Sequence, residues 1–176
     1  MRSKWMGIVA LGAAVCAAIA GAALARGDGP AAVPASPLAA LAGAWTLERV
    51  DNVLPDGRHV QLYGPQPQGQ LLIDAQGRYA LQMVRAQRAR FALGDKAKGT
   101  PGEYRAAALD GNAHYGRLDV SASALRFRIE HASFPNWDGS EQVRPYTLKG
   151  DELVYTVPTP TSGGQATGEV AWRRQR

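Results

Sequence analysis

The stretch HASFPNWDGSEQVRPY, His131 to Tyr146, gathers the side chains of this chain best suited to hold a polar ligand or move a proton. It carries one of only three histidines, an arginine at position 144 and a Phe-Pro-Asn-Trp turn between them. An imidazole changes charge near neutral pH and serves as donor, acceptor, acid or base. A guanidinium holds a carboxylate or phosphate through charge-assisted hydrogen bonds. Asn136 and Trp137 follow Pro135, which sets them at a turn able to fold over the space its flanking strands enclose. Other chemistries find little here. Ser133 and Ser140 lie close to His131, but no G-x-S-x-G elbow marks a nucleophile. His59, His114 and His131 lack the local spacing of a zinc site, and the single cysteine, Cys16, falls in an N-terminal apolar run. No metal and no cofactor is expected. Gly64, Gly69 and Gly77 have no strand-to-helix context and read as turn residues rather than a phosphate cradle.

The elements that must position these side chains read as strands. In ALRFRIEHA, Leu125, Phe127, Ile129 and His131 alternate onto one side, while Arg126, Arg128 and Glu130 fall on the other. The apolar side faces a core, so His131 is expected to point inward with it. Arg144 shares a side with Tyr146 and Leu148 and is expected inward too, although Pro145 suggests a bulge or an edge nearby. His114 shares a face with Leu118 and Val120. A buried arginine without a partner costs several kcal/mol. No inward acidic residue is visible in these strands, because Asp119 and Glu130 alternate outward. A barrel whose lumen holds water or an anionic group resolves the conflict.

The rest of the chain agrees with such a barrel. About eight short alternating runs between Gly43 and the end are separated by turn chemistry such as AQG and KGD. No long amphipathic helical repeat follows Gly43; one or two helical turns are expected near GEYRAAAL, Gly102 to Leu109. The fold class is therefore all-β, a single antiparallel barrel over residues 41–176. A Pro/Ala/Gly-rich tether covers 26–40. Ahead of it, Arg2 and Lys4 precede an uncharged apolar run that ends in A-L-A, which reads as a secretory signal over 1–25 cut after Ala25. The alternative is an uncleaved membrane anchor. Export to a periplasm or medium is the expectation, with the membrane touched only through that segment if it is kept. Beyond Arg2 and Lys4 the chain carries 18 basic and 15 acidic residues, scattered rather than clustered as a nucleic-acid surface requires.

From Leu41 onward the sequence resembles the lipocalin-like domain family common in bacteria and fungi. The resemblance rests on LAGAWTLERV, YGPQPQGQLLIDAQGRYALQMV, AHYGRLDV, IEHASFPNWDGSEQVRPYTLKGDELVYT and VAWRR, in that order. It implies a small antiparallel lipocalin-like β-barrel and says less about activity, because most members have none assigned. The Gly-x-Trp at Gly43 to Trp45 is similar to that of lipocalins generally. There the tryptophan packs at the closed end of the barrel under a basic residue of the last strand, a part Arg174 or Arg173 can take by stacking. Trp45, Trp172, Arg174 and Pro135 are thus expected to be structural.

Three functions remain open. In the first, the barrel binds a small hydrophobic or amphipathic, possibly anionic, molecule. His131, Arg144, Trp137, Asn136, Tyr146 and His114 would contact it. In the second, the barrel is an enzyme steering an isomerisation or cyclisation, with His131 as general acid or base. In the third, large inward residues fill the barrel and no ligand enters. Tyr63, Tyr79, Met83, Phe127 and Tyr155 are expected in the core, lining a lumen only if one exists.

Overall fold

Closing a sheet on itself removes exposed strand edges and buries one face of every strand, which is what an alternating sequence without helices requires. The computed structural model describes residues 36–162 and 164–176. The segment read as a signal, and residues 26–35 of the tether, lie outside the described residues. The strands are β1 (Gly43–Val53), β2 (His59–Gln61), β3 (Gln68–Ile73), β4 (Arg78–Val84), β5 (Gly111–Val120), β6 (Ala124–Ala132), β7 (Glu141–Lys149), β8 (Glu152–Val157) and β9 (Thr167–Arg174). Helices α1 (Pro37–Leu41) and α2 (Pro101–Leu109) complete the elements used below. Neighbouring strands pair antiparallel in the order β1, β3, β4, β5, β6, β7, β8, β9, and β9 returns to β1. The result is the expected closed eight-stranded barrel. Among the described strands only β2 stands outside it, pairing Asp51 to Val53 of β1 with His59 to Gln61.

The β3–β4 hairpin shows how the turns are built. Asp74 accepts hydrogen bonds from the Gln76 and Arg78 amides, and Gly77 supplies a φ of 79°. A side chain on Gly77 would also meet the Leu118 carbonyl at 2.8 Å, so glycine is needed twice over.

Two irregularities change which way side chains point. Along β1 and β9 the register shifts between Leu47 and Arg49, so Trp45 and Leu47 point inward, and so do Val50 and Asn52. Along β5 and β6, Gly116 faces Ile129 while Tyr115 faces His131, leaving Glu130 without a partner. This bulge reverses the alternation after Ile129. Ala132 packs against the core, and His131 turns to the outer surface, with 67% of its side chain exposed. The expectation that His131 points into the barrel is therefore corrected. Gly116 allows the bulge, because a Cβ there would lie 2.1 Å from the Arg128 carbonyl oxygen.

One end of the barrel is closed and filled. Trp45, Trp172, Tyr155, Phe127, Leu71, Leu125 and Leu153 are fully buried. Helix α1 is capped by the Ser36 side chain, starts with Pro37 and drives Leu41 into the same core. It spans the last four residues of the segment read as tether and the first of the barrel domain. The Trp45 indole donates to the Leu41 carbonyl at 2.9 Å. Arg174 lies 4.1 Å over the Trp45 ring and donates to the Ala42 and Ala40 carbonyls. Arg174, rather than Arg173, thus covers the indole, and Arg173 pairs with Glu48 outside.

Candidate functional site

The opposite end holds a cavity of about 430 Å³, within the range of small-molecule sites. Its floor is Arg144 of β7 and His114 of β5, both buried. Val50 and Asn52 of β1, Tyr63, Met83 of β4 and Asn112 of β5 form the walls. The 3₁₀ turn Pro135–Trp137 brings Asn136 and Trp137 over the rim, and the segment from Pro158 to Ser162 borders the other side.

Arg144 is the central feature. The alternation of β7 directs it inward as expected, with 4% exposure. Its guanidinium lies 4.7 Å from the Phe127 ring centre and 5.0 Å from that of Tyr155, between two aromatic faces. Its Nη2 donates to the Gln142 side chain, and its Nε finds no acceptor. Among the described residues no carboxylate forms an ion pair with it. A cation removed from water on neutral groups alone is under-compensated.

The neighbouring polar atoms add to this imbalance. His114 Nδ1 meets the Tyr79 hydroxyl at 2.9 Å, and Nε2 has no partner. The imidazole is neutral: burial, and then the Arg144 charge, push its pKa down to about 3. Nε2 is a free donor where the Tyr79 hydroxyl donates to Nδ1, and a free acceptor where Nδ1–H donates to the hydroxyl. Beneath Arg144, the Tyr155 hydroxyl and the Trp172 indole N–H are also buried without a hydrogen bond of good geometry, although Tyr155 lies close to both Trp172 and Arg144. Arg144 Nε–H and Trp172 N–H can only donate. Around Arg144 the unpartnered Arg144 and Trp172 N–H groups are complemented by an acceptor-rich group, while the cavity wall also carries Asp51, whose Oδ1 is buried without a partner.

The other expected contacts divide. Trp137 is half-buried, edge-on to His114 at 6.0 Å and to Phe134 at 5.6 Å, and it serves as both corner and lining. Asn136 is exposed at the rim, and Pro135 starts the corner. Tyr146 lies toward the other end of β7, where its hydroxyl donates to the Ser121 carbonyl at 3.1 Å, away from the cavity. His131 sits outside, 3.0 Å from the Asp138 carboxylate and against Tyr115. Tyr63 and Met83 do line the space, whereas Tyr79, Phe127 and Tyr155 belong to the filled core. Burial holds the Tyr63 hydroxyl protonated, its pKa pushed up to about 12, and it accepts from Asn112 at 2.8 Å. Asn52 was not anticipated, because the β1 bulge that turns it inward leaves no mark in the alternation. Gln142 was legible: it shares a face with Arg144.

Beside β2, the buried Asp51, the exposed His59 and the half-buried Glu169 bring potential ligand atoms within 4.8 Å of one another. The Arg49 guanidinium already bonds both carboxylates, and His59 lies 3.0 Å from Asp51. This is an ion-pair network centred on Arg49, and a metal ion held by both carboxylates would have to displace that arginine.

A closed antiparallel barrel, sealed at one end by a tryptophan beneath an arginine and open over a polar-floored cavity at the other, defines a lipocalin-like architecture. The chain belongs to the lipocalin-like domain family, whose sequence profile matches residues 42–175. No curated protein matches it.

Proposed function

We propose that this is an exported binding protein that holds a small amphipathic molecule with an acidic head in the open end of its barrel. The observation that carries this reading is Arg144, a buried guanidinium flanked by aromatic rings, facing a cavity and lacking a carboxylate partner among the described residues. A ligand carboxylate supplies the missing acceptors, and the ligand's carbons bury against Val50, Met83 and Trp137. Export rests on the N-terminal sequence alone. The catalytic alternative has less support. His131 lies outside the barrel, and His114 stays neutral far below physiological pH, so neither offers the lumen an acid–base group that changes charge near neutrality. The filled-barrel alternative fits the closed end only.

The test is titration of a medium-chain fatty acid and of its methyl ester, followed by tryptophan fluorescence, in wild type and Arg144→Met. Methionine keeps the packing between the rings and removes the charge. The acid is expected to lose roughly ten- to a hundredfold in affinity, the worth of a charge-assisted hydrogen bond, while the ester changes little. Equal loss for both contradicts an anchoring role.

A further inference from the structure

The net positive charge of residues 36–176 is confined to one connection. Between Arg85 and Asp110, joining β4 to β5, stand six basic residues (Arg85, Arg88, Arg90, Lys96, Lys98 and Arg105) against three acidic ones. Everywhere else from residue 36 to 176, the chain carries eleven of each sign. Arg85 pairs with Asp110, and Lys98 with Asp95. Arg88, Arg90, Lys96 and Arg105 form no ion pair among the described residues. The third acid, Glu103, is occupied by the Ala92 and Thr100 amides.

The same connection exposes apolar groups. Leu93 is 72% exposed in a turn, and Leu109 and Tyr104 are exposed on α2. Helix α2 has a complete capping box from Thr100 and Glu103, yet it buries no side chain in the domain. A short helix of this kind ordinarily owes its stability to an apolar face packed on something. Here the connection is braced internally, by Phe91 edge-on to Tyr104 at 5.6 Å and by Glu103 reaching Ala92. It leaves the barrel beside Met83 and returns beside Asn112, both in the cavity wall. Phe134 is exposed at the same end, next to Trp137.

We infer that this connection docks the open end of the barrel on an anionic lipid surface. Four uncommitted cations meet lipid phosphates, while Leu93 and Leu109 enter the interfacial zone between headgroups and acyl chains. An acidic protein would satisfy the cations but gives no reason for a leucine 72% exposed in the turn at position 93, or for another exposed at the end of α2. Nucleic acid is disfavoured on the same ground. The contact is independent of the N-terminal apolar run and of what the cavity holds.

The test uses the full chain with Cys16→Ser and Leu93→Cys, the new thiol carrying a polarity-sensitive fluorophore, mixed with vesicles of phosphatidylcholine alone or with a quarter phosphatidylglycerol. A matching label at Leu72, on the outer face of β3, is the control. The expected result is a blue shift at position 93 only, with phosphatidylglycerol vesicles only. High salt, or Arg88→Gln, Arg90→Gln, Lys96→Gln and Arg105→Gln together, should weaken binding at least about tenfold. The probe at 93 reports the connection itself, so anchoring by the N-terminal run does not imitate the result. The inference is overturned if position 93 stays in water, if the shift ignores lipid charge, or if the four substitutions leave it unchanged. It is overturned equally if they abolish capture of an acidic protein while no vesicle shifts the probe.

Discussion

Arg144 and His114 are polar residues that a barrel core would be more stable without, which gives their presence a functional reading. Exchange of a buried charge for an apolar side chain of similar volume is often neutral or stabilising. Arg144→Met should therefore leave the urea midpoint unchanged or raise it, while removing the preference for an acidic ligand. His114 affects stability through pH. Its folded pKa is depressed to about 3, below the ordinary value near 6.5 for an unfolded histidine. Between these values the unfolded chain binds a proton that the folded chain refuses, so stability is full above pH 6.5 and falls as pH drops toward 3. The loss at pH 5 is about 2 kcal/mol relative to pH 8. His114→Gln should flatten that part of the profile in urea titrations at stepped pH. If the slope between pH 6.5 and 5 persists in the variant, another group is responsible. His131, exposed on the outer face, should change ligand affinity little when replaced by glutamine.

Strands and their irregularities decide which of these residues reach the lumen. The β5–β6 bulge depends on Gly116, whose missing Cβ leaves room for the Arg128 carbonyl. Gly116→Ala should cost about 2 to 3 kcal/mol and weaken ligand binding with it, since His114 is two residues away. Gly150→Ala is the comparison, because a Cβ there meets nothing within 4 Å and costs only the strain of its φ of 60°, about 1 kcal/mol; an equal cost at both sites would argue against the bulge. The bulges also explain what was legible in the sequence. The eight barrel strands, the Gly77 turn, the helix near Gly102 and the inward faces of Arg144 and His114 follow from composition and a period of two. So does the Trp45–Arg174 contact, through the resemblance in GAW and VAWRR. Extrapolating the same period through Glu130 placed His131 in the barrel, and it carries no warning of the bulge at Glu48 that turns Asn52 inward. A one-residue insertion leaves hydrophobicity almost unchanged yet reverses every side chain beyond it. The clearest local sign was Gly116, a glycine inside a strand pattern, which marks either a bulge or a close backbone approach.

Across the whole molecule, stability and binding sit at opposite ends. The closed end ties the last strand to the first and to α1 through Arg174, whose guanidinium stacks on Trp45 and bonds the carbonyls that end the helix. That arrangement seals the barrel bottom without extending to the cavity floor. Between them lie Trp172, Tyr155 and Phe127, all fully buried. This separation has a measurable consequence. Arg174→Ala removes a cation–π contact and two charge-assisted hydrogen bonds, and should lower stability by about 2 kcal/mol. The filled core is expected to insulate the open end, so fatty-acid affinity should remain within about twofold of wild type as long as the domain stays folded. Arg144→Met should give the reverse pattern, with affinity lost and stability kept. Measuring both variants by urea unfolding and by tryptophan-fluorescence titration sets the two ends against each other. If Arg174→Ala weakens binding as strongly as it weakens the fold, the two ends are coupled through the core and the barrel acts as one unit.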